Sequence, residues 1–230
     1  MVDLVALKAA NEKRWASIKL TRDFGPIAQR LVAAKSRYQA VEAKTGVPWF
    51  VIAVIHMRES TQNWSRSLAQ GDPWNQVSTH IPKGRGPFKS REEAAIDALV
   101  NCGPYLARKD WRLGATLVAL EKYNGIGYAA RNKPSPYLWA GTNQYSGGKF
   151  VADGVYDPNH VDQQPGCADL ILAMLQIDSS ISWSMAKEDA KPKPSPIPTE
   201  KPVPAPHPAQ SNWLSALISA IASIFNKEGK

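Results

Sequence analysis

Cysteine is almost missing from this chain: there are two in 230 residues, Cys102 and Cys167. That excludes a disulfide scaffold and any four-cysteine zinc site. The two thiols either stay reduced or form a single bridge. Histidine is nearly as sparse. His56, His80, His160 and His207 show none of the paired spacing of an HExxH helix, which argues against a zinc amidase or peptidase. No serine or cysteine sits in a nucleophile-elbow context, and no glycine-rich phosphate loop is present. No metal or cofactor is therefore expected. No run of about 18 apolar residues occurs, so no membrane-spanning helix is expected. The opening stretch, MVDLVALKAANEKRW, lacks a basic segment followed by a long apolar one, so no secretory signal is expected. There is no internal repeat.

What is present fits a globular domain with a basic surface. Apolar residues make up 43%, enough to build a core, and 28 Lys+Arg against 20 Asp+Glu leave a net charge of +8. Such a charge suits an anionic polymer: nucleic acid, a membrane surface or cell wall. Composition changes near Lys187. Eight of the 18 prolines fall in KPKPSPIPTEKPVPAPHP, where missing N–H groups and restricted preceding residues prevent a core. At about 3.1 Å per residue an extended spacer of this kind reaches roughly 55 Å. The expected organisation is a domain over 1–186, an extended linker over 187–210 and a tail over 211–230. In the tail, Ser211, Ser215, Ser219 and Ser223 form a polar stripe and Trp213, Leu214, Leu217, Ile218, Ile221, Ile224 and Phe225 fill the rest. As a helix its apolar part is about 20 Å long, short for a bilayer. An amphipathic helix on a membrane surface, or one that self-associates on an otherwise monomeric protein, fits better; docking back on the main domain is the alternative.

The domain reads as α+β, mainly α-helical with a small β-hairpin. Ile27, Leu31, Ala34, Tyr38 and Val41 predict a helix over 27–44. Pro48 opens a helix that is apolar on every face from Trp49 to Ile55 and therefore buried all round. Ser90-Arg-Glu-Glu93 is a capping box for a helix to about Val100, which places Glu92, Glu93 and Asp97 on the surface. Asp110 is positioned to cap a helix over 111–123, closed by Gly125. Leu170, Ala173, Met174 and Ile177 predict a last helix over 165–177. Alternation in Gln76–Ile81 and the Asp153-Gly154 turn within Lys149–Tyr156 predict extended segments.

Glu59 lies at the C-terminal end of the most hydrophobic helix. Desolvation there raises the pKa of a carboxyl, and the helix C-terminus disfavours its charge. A carboxyl kept protonated near neutral pH is what a general acid in glycoside hydrolysis requires. An inverting glycosidase also needs a carboxylate to activate water, about 6.5–9.5 Å away. Asp72, in AQGDPW, can polarise that water and Thr79 can orient it. The plainer readings are an ion-paired Glu59, a turn aspartate and a strand threonine. Glu121 is the main competitor for the acid, on a helix that reads as more solvated. Tyr137, Trp139, Asn143, Gln144 and Tyr145 offer rings and amides for a saccharide wall, or the packing of a long loop.

This arrangement resembles the lysozyme-like superfamily, which joins goose-type lysozymes, phage-type lysozymes and lytic transglycosylases. The catalytic glutamate of that group ends a buried helix, as in Arg58-Glu59-Ser60. Its Ala-Tyr-Asn-Gly-like element is matched by EKYNGIGY, from Glu121 to Tyr128. More closely, the chain resembles a lysozyme family of phage and proteobacterial endolysins. The matching stretches are GVPWFVIAVIHMRES, GDPW, EKYNGIGY and SPYLWAGTNQYSGGKFVADG, with the final helix, over residues 45–178. The resemblance implies Glu59 as catalytic acid, Asp72 and Thr79 as the acid–base–threonine partners of phage-type enzymes, and Tyr123 and Asn124 in the substrate cleft. The stretch between Glu59 and Asp72 is longer than in the phage-type pattern. The implied substrate is peptidoglycan and the implied setting is host cytoplasm until release to the wall. Hydrolysis of the MurNAc–GlcNAc bond and lytic transglycosylation both stay open, as does a non-catalytic wall-binding protein on the same fold. No basic run interleaved with aromatics points to nucleic acid.

Overall fold

The computed structural model describes residues 2–69, 71–80, 82–103, 110–152 and 154–185. The linker and tail expected over 187–210 and 211–230 lie outside the described residues. So do Ile81 and Asp153.

The described chain is a mixed α+β fold, about half helical. Its helices are α1 Leu4–Ala16, α2 Gly25–Ala33, α3 Lys35–Thr45, α4 Trp49–Ser60, α5 Arg91–Ile96 (continued by a π-helical turn, Asp97–Cys102), α6 Leu113–Asn124, α7 Pro136–Trp139 and α8 Cys167–Leu175. Two small antiparallel pairs accompany them. Strand β1 Asp110–Trp111 pairs with β4 Ser184–Met185, and β2 Lys149–Ala152 pairs with β3 Val155–Asp157. Cys102 and Cys167 are both free.

Helix α4 is the axis of the core. Every residue from Trp49 to Arg58 is buried, because α2, α3, α6 and α8 all pack against it. It begins after Pro48 and ends where Thr61 turns into the left-handed region at φ +55°. The hairpin over 149–157 forms as expected, with Gly154 at φ +70° in its turn.

Other expectations are corrected. The single helix over 27–44 is two helices that break at Ala34, since α2 packs on α8 while α3 packs on α4 and α5. Asp110 does not cap α6. Its carboxylate takes the Arg112 guanidinium, at 2.9 and 2.8 Å, and α6 starts after Arg112. Residues 76–80 form no strand. Val77 is exposed and Ser78 is buried, the reverse of the expected alternation, because Ser78 Oγ accepts from Arg85 N–H and donates to the Pro82 carbonyl. Asp97 is not on the surface: it is buried and receives Arg85 and Asn101. Helix α6 is not solvated either. Helix α1, which no sequence pattern marked, lies across it, and Asn11 donates to Glu121 Oε2 at 3.0 Å with both residues buried.

The segment joining α1 to α2 runs beside residues 141–143, through Thr21 N–H to the Gly141 carbonyl at 2.9 Å and the Leu20–Thr142 bridge. Gly141 has φ +80°, and a Cβ there would lie 2.2 Å from Asp169 Oδ2 and 2.5 Å from Phe24 Cζ. Gly141→Ala therefore combines left-handed strain, about 1–3 kcal/mol for a non-glycine residue, with a clash against α8. Urea unfolding should show a loss of at least that size. An unchanged midpoint would mean that this crossing relaxes freely.

Candidate active site

The apolar run of α4 carries Arg58-Glu59-Ser60 to the edge of the core. Glu59 Oε1 accepts a hydrogen bond from Tyr137 Oη at 2.7 Å. Tyr137 belongs to α7, a single turn opened by Pro136 and fully packed in the core. Protein packed around Glu59 raises its pKa to about 7, although the Tyr137 hydrogen bond and the Arg58 charge pull the other way. Glu59 as a whole is half-buried, unlike the residues of α4 before it.

Arg58 explains why the neighbouring cation does not hold Glu59 ionised. Its guanidinium turns to Asp162, at 2.5 Å, and to the Pro165 carbonyl, at 3.0 Å. Asp162 also receives Lys149 at 3.1 Å. Burial alone would raise the Asp162 pKa, but Arg58 and Lys149 bring it down to about 2. This charged knot and the protonatable Glu59 are adjacent in sequence and opposite in chemistry.

His56, one turn earlier, is a strut. Its Nε2 meets the Asn63 carbonyl at 3.0 Å, so that nitrogen carries the hydrogen and Nδ1 accepts from Tyr38 Oη and Arg91, both at 3.0 Å. Burial, reinforced by Arg91, pushes its pKa down to about 3. A neutral His56 fixes the chain leaving α4.

The remaining expected site residues divide clearly. Asp72 and Thr79 do come together, through the Thr79 backbone: Asp72 Oδ2 accepts Thr79 N–H at 2.8 Å and His80 N–H at 2.9 Å, and Oδ1 meets His80 Nδ1 at 2.6 Å. These bonds outweigh desolvation and lower the Asp72 pKa. The Thr79 side chain is exposed. Tyr123 Oη donates to the Leu68 carbonyl at 2.8 Å, bracing the loop after α4, and Asn124 ends α6 half-buried. Asn143 joins the α1–α2 connection through Lys19 N–H, at 2.7 Å, and the Ser17 carbonyl, at 3.0 Å. Tyr145 Oη accepts from Asp162 N–H at 3.1 Å. Tyr137, Trp139 and Tyr145 are core residues, so their rings form no open saccharide wall; Asn143 and Tyr145 brace the fold. Sequence reasoning offered Arg58 as an ion-pair partner for Glu59, whereas it pairs with Asp162; it missed Asp162 and His80 as neighbours of the site, because their partners lie far away in the chain or on an irregular loop. Among the described residues no three His, Cys, Asp or Glu side chains converge to hold a metal ion.

Comparison with family models, curated proteins and solved structures yields no match to this chain.

Two outcomes follow from these electrostatics. The Glu59 carboxyl ionises near 4.5 in the unfolded chain and near 7 in the folded one. Between those values the folded state binds more protons, so this carboxyl makes stability fall as pH rises. Glu59→Gln should remove that decline and be the more stable protein at pH 8, with the advantage gone below pH 4.5, in urea titrations across pH. Arg58→Met, by contrast, should cost about 3–5 kcal/mol near neutral pH, the usual result of stripping one partner from a buried pair. A loss below 1 kcal/mol would show that Lys149 alone satisfies Asp162.

Proposed function

We propose that this protein is a peptidoglycan-cleaving glycosidase with a lysozyme-like fold, acting as a muramidase on the MurNAc–GlcNAc β-1,4 bond. One observation carries the reading. A glutamate at the end of a wholly buried helix holds its proton to about pH 7 and is oriented by Tyr137 at 2.7 Å. A neutral carboxyl at the rim of a core can give its proton to a leaving glycosidic oxygen, the step that limits cleavage of an unactivated glycoside. Tyr137 aims the carboxyl and stabilises the carboxylate that remains. The net charge of +8 suits an anionic wall. The family resemblance around Arg58-Glu59-Ser60 and EKYNGIGY supports the substrate, and with it an endolysin that stays in host cytoplasm until it reaches the wall.

A second reading has its own support. Both Asp72 oxygens accept hydrogen bonds from loop donors, which weakens the case for Asp72 as the carboxylate base. In lytic transglycosylation Glu59 serves as acid and then as base, and the muramyl C6 hydroxyl attacks to leave a 1,6-anhydro end.

Digestion of purified peptidoglycan by the wild type and Glu59→Gln, with products read by mass spectrometry, separates these readings. The wild type should release reducing muramyl ends, and Glu59→Gln should lose roughly 10²–10⁴-fold in rate. Ends lighter by one water would identify the transglycosylase. A wild type that binds wall and releases nothing would leave a wall-binding protein.

A further inference from the structure

The loop after α4 contains an imidazole–carboxylate pair that the acid chemistry of Glu59 leaves unused. Asp72 is 8% exposed, and its carboxylate takes three donors, two of them from His80. Against an ionised carboxylate the His80 Nδ1 carries the hydrogen, so in the neutral ring the lone pair is on Nε2. The His80 side chain is 45% exposed, and its Nε2 hydrogen-bonds none of the described residues. The loop returns to the end of α4. Ser67 N–H donates to the Asp72 carbonyl at 2.8 Å and Arg66 Nη1 to the Gly71 carbonyl at 2.6 Å. Gly71 lies so close that a Cβ on it would be 3.8 Å from the Glu59 carbonyl oxygen. One turn of loop therefore presents an oriented imidazole at the same end of α4 as the acid.

We propose that His80 is the general base that activates the attacking water in the hydrolysis proposed above, with Asp72 as its positioning residue; the inference rests on the glycosidase reading. Glu59 gives its proton to the glycosidic oxygen as the C1–O bond breaks. The water oxygen bonds to C1 from the opposite side, and a proton of that water passes to His80 Nε2. Asp72 stabilises the imidazolium. His80 then releases its proton to solvent and Glu59 takes one up, which restores both groups. The step needs no other reactant. It also reconciles an occupied Asp72 with hydrolysis, since the carboxylate acts through the ring and needs no free oxygen of its own.

The test digests purified peptidoglycan with the full chain as wild type, Glu59→Gln, His80→Ala and His80→Gln, each with and without sodium azide. In His80→Gln the side-chain amide can still donate to Asp72, so the loop keeps its tie, and thermal melting checks that it does. Both His80 variants should lose roughly 10²–10⁴-fold in hydrolysis. Azide attacks C1 without a base, so it should restore cleavage to both as muramyl azide ends, and Glu59→Gln should not be rescued. Near-wild-type hydrolysis by His80→Gln would show a histidine that only holds the loop, and the proposal fails. Loss of activity without azide rescue overturns it equally. Anhydro ends from the wild type overturn the role of His80 and keep Glu59 as the acid of a glycosidase. No cleavage by the wild type removes both readings.

Discussion

The ion pair between Arg58 and Asp162 is the constraint on which the site depends. The two side chains are 6% and 2% exposed, so neither charge is left to water. Such a pair adds little net stability over apolar residues of the same volume, but it specifies one arrangement. Here it joins the last turn of α4 to the segment leading into α8, and Tyr145 reinforces the join from the Asp162 backbone. It also draws Arg58 away, so that its charge lowers the Glu59 pKa by less than desolvation raises it. An unpaired guanidinium next to Glu59 would favour the carboxylate and lower its pKa. With Arg58 spent on Asp162, desolvation dominates and Glu59 keeps its proton.

Glu121 shows why a raised pKa does not identify an acid by itself. Burial raises it too, and it precedes the Tyr-Asn element that marks the site in sequence. Yet Glu121 is 1% exposed and faces Asn11 beneath α1. A carboxyl walled in by two helices has no route for a sugar and exchanges its proton only when the packing opens. Glu59 meets the same electrostatic condition at a half-buried position, and what covers Glu121 is helix α1. That helix has a weak apolar pattern, with only Leu7 and Asn11 buried, so the sequence reads α6 as a half-exposed helix. Its buried contact is an amide–carboxyl hydrogen bond, which no hydrophobic period announces.

The residues that were legible share a local cause. Helix α4 is a continuous apolar run with a proline before it, and the 149–157 hairpin turns at Gly154. Ser90 caps α5 through Glu93 N–H at 3.1 Å. Each signal is set by neighbours a few positions away. The illegible ones have distant causes. The break at Ala34 follows from two helices packing on different partners, and Asp97 is drawn inward by Arg85. Asn143 and Tyr145 look like ligands for sugar because amides and aromatic rings suit both carbohydrate and buried loops. In this fold the loop used them.

The same reasoning separates position from role at Asp72. Sequence placed a carboxylate just beyond Glu59, and the fold does bring Asp72 and Thr79 into contact. The contact is made by backbone N–H groups, so the threonine hydroxyl is dispensable to it and the histidine that follows is not. A carboxylate with three donors is a poor proton acceptor, because most of its lone pairs are occupied and its pKa is lowered. An imidazole oriented by that carboxylate has the opposite property: one nitrogen is fixed and the other keeps its lone pair. For the glycosidase we propose, a second catalytic group on this loop is therefore sought one bond network outward from Asp72, at the ring it orients.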